Sequence, residues 1–345
     1  MSNSRPSLRS RQAARRRARR RRMIVRCAGV VVCAGLLAVA GWKIAGAISD
    51  TPASALAAVQ PTPTPAPTPA PTATPEPLPV VSLAAEDISS NYALLARASD
   101  GTVIWSKGEP TDTVWPASIT KVLTALVALE HLPDLDATYT LPLEIYQPLI
   151  DQNASMAGFW AGESPTIRDL LYGTLLPSGA EAATGLALAA AGDAATFVEW
   201  MNQKAAELGM TGSHFANVWG IYLEDHYSTP ADLLLLMQAA LQNETLRAAM
   251  SAPVYTTGPL SAHPEGVTML HSVLSREEMG QTQGFLLEGG KTGFTDEAGL
   301  CLASFAQKDG EEFILITTGA MAAEDDNRPL HLLDAITIYG SLQIP

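Results

Sequence analysis

The chain has 345 residues, 47% of them hydrophobic, and a formal net charge of −13, enough apolar sequence for one large domain or two modest ones. Residues 1–26 hold 11 Arg and no acid, leaving 11 basic residues against 35 acidic ones in the rest. So acidic a body excludes a phosphate-binding face, and nucleic acid is not expected as a partner.

After the basic stub, residues 27–42 read CAGVVVCAGLLAVAGW, followed by Lys43 and more apolar sequence. With Lys43 reaching to the interface, residues 27–48 are long enough for a membrane anchor. The Arg excess before them places the N-terminus inside and the body outside. A signal peptide cut near Ala45-Gly46-Ala47 is the other reading. Residues 61–79, PTPTPAPTPAPTATPEPLP, contain nine Pro and predict a semi-rigid spacer within a stalk over 49–82. At about 3.1 Å per residue this spacer spans roughly 60 Å. Two of the three Cys, Cys27 and Cys33, lie in the apolar segment. Cys301 is alone in the body, so no disulfide framework is expected there.

The globular part is expected over 83–345. NYALLARA and TVIWS flank Asp100-Gly101 and predict a hairpin. Helical spacing follows over 118–130, 166–175, 180–191, 194–208 and 230–241. GFLLEGGKTGF, GLCLASFAQ and EEFILITTG read as strands, with a turn at Lys308-Asp309-Gly310, and a last helix is predicted over 327–340. Strands at both ends and helices between them predict an α+β fold, an antiparallel sheet with helices packed against it.

The segment PASITKVLTALVALE (116–130) carries Ser118 and Lys121 one turn apart in an otherwise apolar helix. A Ser at a helix start is by itself only a cap. A buried ammonium, however, is costly unless paired or deprotonated, and burial near a helix N-terminus lowers its pKa. Such a Lys can act as a general base on the hydroxyl one turn away, with the first helical N–H groups near to hold an oxyanion. Leu175-Leu176-Pro177-Ser178-Gly179 puts a second Ser at a break between two helices, either as a helix cap or as a hydroxyl that passes a proton to a leaving amine. In Gly289-Gly290-Lys291-Thr292-Gly293-Phe294, Lys291 and Thr292 can hold a carboxylate. Gly293 lets a ligand approach, and Phe294 can offer its backbone N–H. As a bare strand end, Lys291 would simply be solvated.

Together S-x-x-K, S-G-x and K-T-G form a set that resembles the penicillin-binding serine acyl enzymes. The flanking phrases GESPTIRDLLYGTLLPSGAEAA, MNQKAAELGMTGSHFAN, HYSTPADL and KTGFTDEAGLCLA extend the resemblance over about 90–320. It points to low-molecular-weight penicillin-binding proteins, serine D-Ala-D-Ala carboxypeptidases of the S11 type. The resemblance implies that Ser118 attacks the bond between the last two D-alanines of a peptidoglycan stem peptide. It also implies that Lys121 takes the proton, that Ser178 helps protonate the departing D-Ala, and that Lys291 and Thr292 hold its carboxylate. β-lactams are implied as covalent inhibitors, and no cofactor is implied. No two of the six His show metal-ligand spacing, so no metal is expected.

Two departures stand out. The family's S-x-N is here Ser178-Gly179-Ala180, which removes an amide that contacts substrate and the active-site Lys; Glu181 follows it. The sequence after the last helix is too short for the β-rich C-terminal domain of many relatives, so anchoring is expected to fall to the N-terminal segment. Two alternatives follow. A β-lactamase on the same fold would need a Glu to activate water, and Glu163 and Glu181 are near but in no such motif. A catalytically weak peptidoglycan-binding homologue rests on Ala180 alone.

Overall fold

The computed structural model describes residues 78–278, 284–323 and 326–345. The basic stub, the apolar segment and nearly all of the Pro-rich stretch lie outside them. Among the described residues, no helix is long and apolar enough to cross a membrane.

The chain enters through β1 (Val80–Val81) and forms the expected hairpin, β2 (Tyr92–Arg97) and β3 (Val103–Lys107). A single 3-10 turn, Ala117–Ile119, leads into α1 (Thr120–His131). Helices α2 (Tyr146–Asp151), α3 (Ile167–Leu175), α4 (Ala180–Ala191), α5 (Ala194–Glu207), α6 (Pro230–Gln242) and α7 (Glu244–Met250) follow. A short hairpin, β4 (Val254–Thr256) with β5 (Thr268–Leu270), precedes three long strands: β6 (Leu286–Thr295), β7 (Gly299–Lys308) and β8 (Glu311–Ala320). The chain closes with α8 (Leu330–Ser341) and β9 (Leu342–Gln343).

The main sheet is antiparallel throughout, in the order β3-β2-β8-β7-β6. Its inner strands alternate between two cores. Leu94, Ala96, Ala303, Phe305, Ile314 and Ile316 face the helical cluster. Ala93, Leu95, Leu302, Phe313 and Leu315 face α8. Burial on both faces explains why these strands read as nearly unbroken apolar runs. The β7–β8 turn has positive φ at both Asp309 (49°) and Gly310 (87°), the geometry that matches the twist of a tight hairpin.

Helices α3, α5 and α6 start with side-chain caps: Thr166 accepts from Asp169 N–H, Asp193 from Thr196 N–H, and Thr229 from Asp232 N–H. The last helix begins at Leu330 rather than 327, because Pro329 sets its first turn. Val80 and Val81 pair with Gln343 and Leu342, so the folded body takes in residues expected to belong to the stalk ending at 82. The sequence reading missed α2, α7 and the β4–β5 hairpin, elements of three to seven residues in which a period barely repeats.

Candidate active site

The helix expected from residue 118 starts two residues later. Ser118 sits instead in the 3-10 turn, whose cap position is Pro116, and no side chain caps it. The capping role open to Ser118 is therefore not the one it has. Ala117, just before it, lies at φ 46°, the left-handed region that costs a non-glycine residue roughly 1–2 kcal/mol. Such strain persists where surrounding structure over-determines it; here it directly precedes a serine that lines a cleft.

Lys121, on the first turn of α1, is 1% exposed. Its Nζ lies 3.0 Å from Ser118 Oγ and donates to the Trp219 carbonyl at 2.7 Å. Its partners are thus a hydroxyl and a carbonyl. Burial pulls the ammonium pKa down to about 7, against a smaller upward pull from Glu181. Near neutrality a large share of Lys121 is therefore free amine. With one N–H committed to Trp219, its lone pair can accept the Ser118 proton.

The Trp219 carbonyl is itself fixed. Asn217 Oδ1 accepts the N–H groups of Trp219, Gly220 and Ile221, and its Nδ2 donates to the Ile221 carbonyl. His226 Nδ1 accepts from Ala216 N–H, so its proton is on Nε2 and points to Thr120 Oγ1 at 2.8 Å. Burial pushes His226 down to about 4, keeping it neutral. Thr120, between Ser118 and Lys121, is thereby tied to the loop that holds Lys121. The sequence reading missed Asn217, Trp219 and His226, although HFAN and HYST stood inside its matching phrases.

Opposite stands the second motif. Ser178 does not cap α4, whose cap is Gly179 with no side-chain bond. It is nearly buried, at φ 68°, and its Oγ accepts from Lys291 Nζ at 2.9 Å. Lys291 is 0% exposed and also donates to the Thr292 carbonyl at 2.7 Å. The solvated strand-end reading of Lys291 thus fails. Its ammonium lies behind the cleft wall, and its charge reaches the cleft through Ser178. Burial, then Lys121, hold its pKa well below the ordinary lysine value.

Thr292 faces the cleft, with Oγ1 2.8 Å from Ser272 Oγ. Ser272 is another residue the sequence reading missed. At Gly293 any Cβ would come within 3.0 Å of Ala117 Cβ and of Ser118 N. Glycine there lets β6 press against the Ser118 turn and brings the Phe294 backbone to the same place. The Phe294 side chain stands exposed on the rim. Ser118, Lys121, Ser178, Thr292, Gly293 and Phe294 line one cleft of about 590 Å³.

Glu297 lines it, but neither Glu163 nor Glu181 does. Glu163 accepts from Trp160 and Ala262 N–H and bonds His263 Nδ1. Glu181, fully buried, accepts from the N–H groups of Ala157, Gly158 and Phe159. Neither carboxylate is placed to activate a water at Ser118, which removes the support for the β-lactamase alternative.

The sequence model of the family described as D-alanyl-D-alanine carboxypeptidase, peptidase S11, matches residues 79–322. The chain is 30% identical over 263 residues to a D-alanyl-D-alanine carboxypeptidase of Streptomyces sp. (strain K15), covering 72% of this chain and 88% of that protein. It is 31% identical over 223 residues to a D-alanyl-D-alanine endopeptidase of Pseudomonas aeruginosa, covering 63% of this chain and 67% of that protein. The crystal structure of the Streptomyces K15 DD-transpeptidase superimposes with a TM-score of 0.66 at 27% identity, over 78% of this chain and 98% of that one. The chain therefore belongs to the D-alanyl-D-alanine carboxypeptidase family, peptidase S11.

Proposed function

We propose that this protein removes the terminal D-Ala from peptidoglycan stem peptides through an acyl-enzyme on Ser118, and that β-lactams acylate the same hydroxyl. The observation that carries the reading is the Lys121 amine, fully buried, 3.0 Å from Ser118 Oγ. Lys121 accepts the Ser118 proton as Oγ bonds to the scissile carbonyl carbon. The backbone N–H groups of Ser118 and Phe294 hold the oxyanion. Ser178 already accepts from Lys291, so its own O–H is free to pass a proton to the departing amine as the C–N bond breaks; Ser178 recovers a proton from the Lys121 ammonium, which returns Lys121 to the free amine. Thr292 receives the terminal carboxylate, whose negative charge favours the protonated form of the Lys291 amine behind it. Water, deprotonated by Lys121, then cleaves the ester and restores Ser118.

The N-terminal assignments belong to the same proposal. Residues 27–48 anchor the protein in the cell membrane with 1–26 inside, and 49–82 hold the body, 83–345 by the sequence reading, outside. The 11 Arg followed by an uncharged apolar run support this orientation.

The test incubates the full-length chain with a fluorescent penicillin and, separately, with diacetyl-Lys-D-Ala-D-Ala. Adduct mass and released D-Ala are followed, with Ser118→Ala beside it. Labelling and D-Ala release, both lost in the variant, are expected. Labelling that persists in Ser118→Ala would overturn the assignment of the nucleophile.

A further inference from the structure

Position 180 presents nothing to the cleft. Ala180 has only a methyl, and it is 0% exposed. What covers it is a strap, residues 153–159, that leaves α2 and crosses the start of α4. Ala180 N–H donates to the Ser155 carbonyl at 2.8 Å. A Cβ on Gly179 would fall 2.6 Å from Ala157 Cβ and 2.8 Å from Ala157 N, so nothing larger than Gly fits beneath the strap. The next residue, Glu181, pins the strap from below through the three N–H groups of 157–159, at 2.6, 2.9 and 3.3 Å. Ala180 and Glu181 thus hold this strap in place.

The leading residue of the strap is Asn153, which lines the cleft together with Ser155. Its backbone is fixed: φ is 51°, a region Asn tolerates better than most residues, and its N–H donates to the Ile150 carbonyl at 2.9 Å. Its exposed side chain carries the group that Ala180 lacks, a carboxamide with one acceptor and two donors. That group is complementary to a peptide bond, and a pinned backbone reduces the entropy lost in making the contact. Gln152 also lines the cleft but has a longer, looser side chain.

We infer that Asn153 supplies to the acyl-donor peptide the side-chain amide missing at position 180, and so sets preference for substrates with an amide bond beside the reacting carbonyl. This rests on the reading of the cleft as a D-Ala-D-Ala site. Asn153 binds substrate there, and the proton transfers at Ser118 go on without it.

The test uses Asn153→Gly in the full-length chain, since Gly keeps the left-handed backbone while removing the amide. Asn153→Asp, which keeps the shape and loses the donors, stands beside it. KM and kcat are measured on diacetyl-Lys-D-Ala-D-Ala. Acylation rate constants are measured with benzylpenicillin, which carries an acylamido side chain, and with 6-aminopenicillanic acid, which does not. In Asn153→Gly, KM should rise and acylation by benzylpenicillin should slow by roughly three- to tenfold, the range of one neutral hydrogen bond. Peptide kcat and acylation by 6-aminopenicillanic acid should stay within about twofold. Unchanged values for the peptide and benzylpenicillin would overturn the inference. So would equal slowing with both β-lactams, which a merely structural strap residue would give. A wild-type chain that neither releases D-Ala nor becomes acylated would sink the reading of the cleft and this inference together.

Discussion

Strand β6 carries acidic and basic side chains at two places, and the two are handled in opposite ways. Near its start, Glu288 shares Arg247 with Glu312; the guanidinium is 36% exposed, 2.9 Å from Glu288 and also bonded to Glu312. Three residues on, Lys291 is dry, and so is Lys121 across the cleft; their hydrogen-bond partners are Ser118, Ser178 and the carbonyls of Trp219 and Thr292. Arg247 keeps its charge, its pKa raised by Glu312. The two lysines are pushed toward losing theirs. A cation that joins elements is paired and half-wet. A cation meant to trade protons is desolvated and left without a carboxylate.

The comparison breaks most simply at Ser118. Ser118→Ala should remove all covalent labelling by penicillin, read as adduct mass, with the melting temperature held. Lys121→Met should slow acylation by roughly 10²- to 10⁴-fold, the usual worth of a positioned base. In the wild type, acylation should rise about tenfold per pH unit below 7 and level off above it, because only the free amine accepts the proton. Stability has a definite sign as well. The native pKa of about 7 lies below the ordinary lysine value of 10.5. Between those values the unfolded chain binds a proton that the native state does not, so stability rises with pH across that window. Lys291 acts in the same direction. Lys121→Met should therefore flatten part of the rise in melting temperature between pH 7 and 10, and a variant as pH-dependent as wild type would break the assignment.

A smaller effect is expected one step out. Asn217→Ala removes the acceptor for three N–H groups of the loop that presents the Trp219 carbonyl to Lys121. Misplacing that base by a fraction of an ångström should slow acylation roughly ten- to a hundredfold. The loss should fall on kcat more than on KM. A pure KM effect would mean that the loop binds substrate instead.

How much of this was legible depended on whether a residue announces itself by its own surroundings in sequence. Lys121 did, since an ammonium among Val122, Leu123 and Leu126 has no wet face. The inner strands did too, through their apolar runs. Lys291 did not, because a lysine beside Gly and Thr looks solvated, and only the fold buries it against Ser178, 113 residues away. Asn217 acts through the loop backbone that carries the Trp219 carbonyl, and His226 through Thr120 and the Ala216 N–H, and no side-chain pattern marks either. Ser178 matched its motif, yet its left-handed backbone and its Lys291 bond are facts of packing. The role given to Asn153 rests on a strap whose anchors, Ala180 and Glu181 at the start of α4, are meaningful only once the strap lies across them.

The smallest expected change in activity is at Arg247. Arg247→Met should leave acylation within about twofold, since nothing in that cluster lines the cleft. Its cost should appear in stability. Without the guanidinium, Glu288 and Glu312 face one another with no cation between them. Glu288 already has a raised pKa, from burial and then from its bond to Glu312. The partly exposed setting puts the loss at about 1–2 kcal/mol, between the values for surface and buried pairs. Because the repulsion needs both carboxylates ionised, the loss should shrink as pH falls toward the glutamate range and widen above it. This is read as the difference in melting temperature between variant and wild type from pH 4 to 8. A loss independent of pH would assign Arg247 a packing role, through its guanidinium 5.2 Å above the Phe305 ring, rather than a pairing one. A loss of acylation would mean that the two charged regions of β6 are coupled, and that the unpaired lysines owe part of their tuning to the paired arginine.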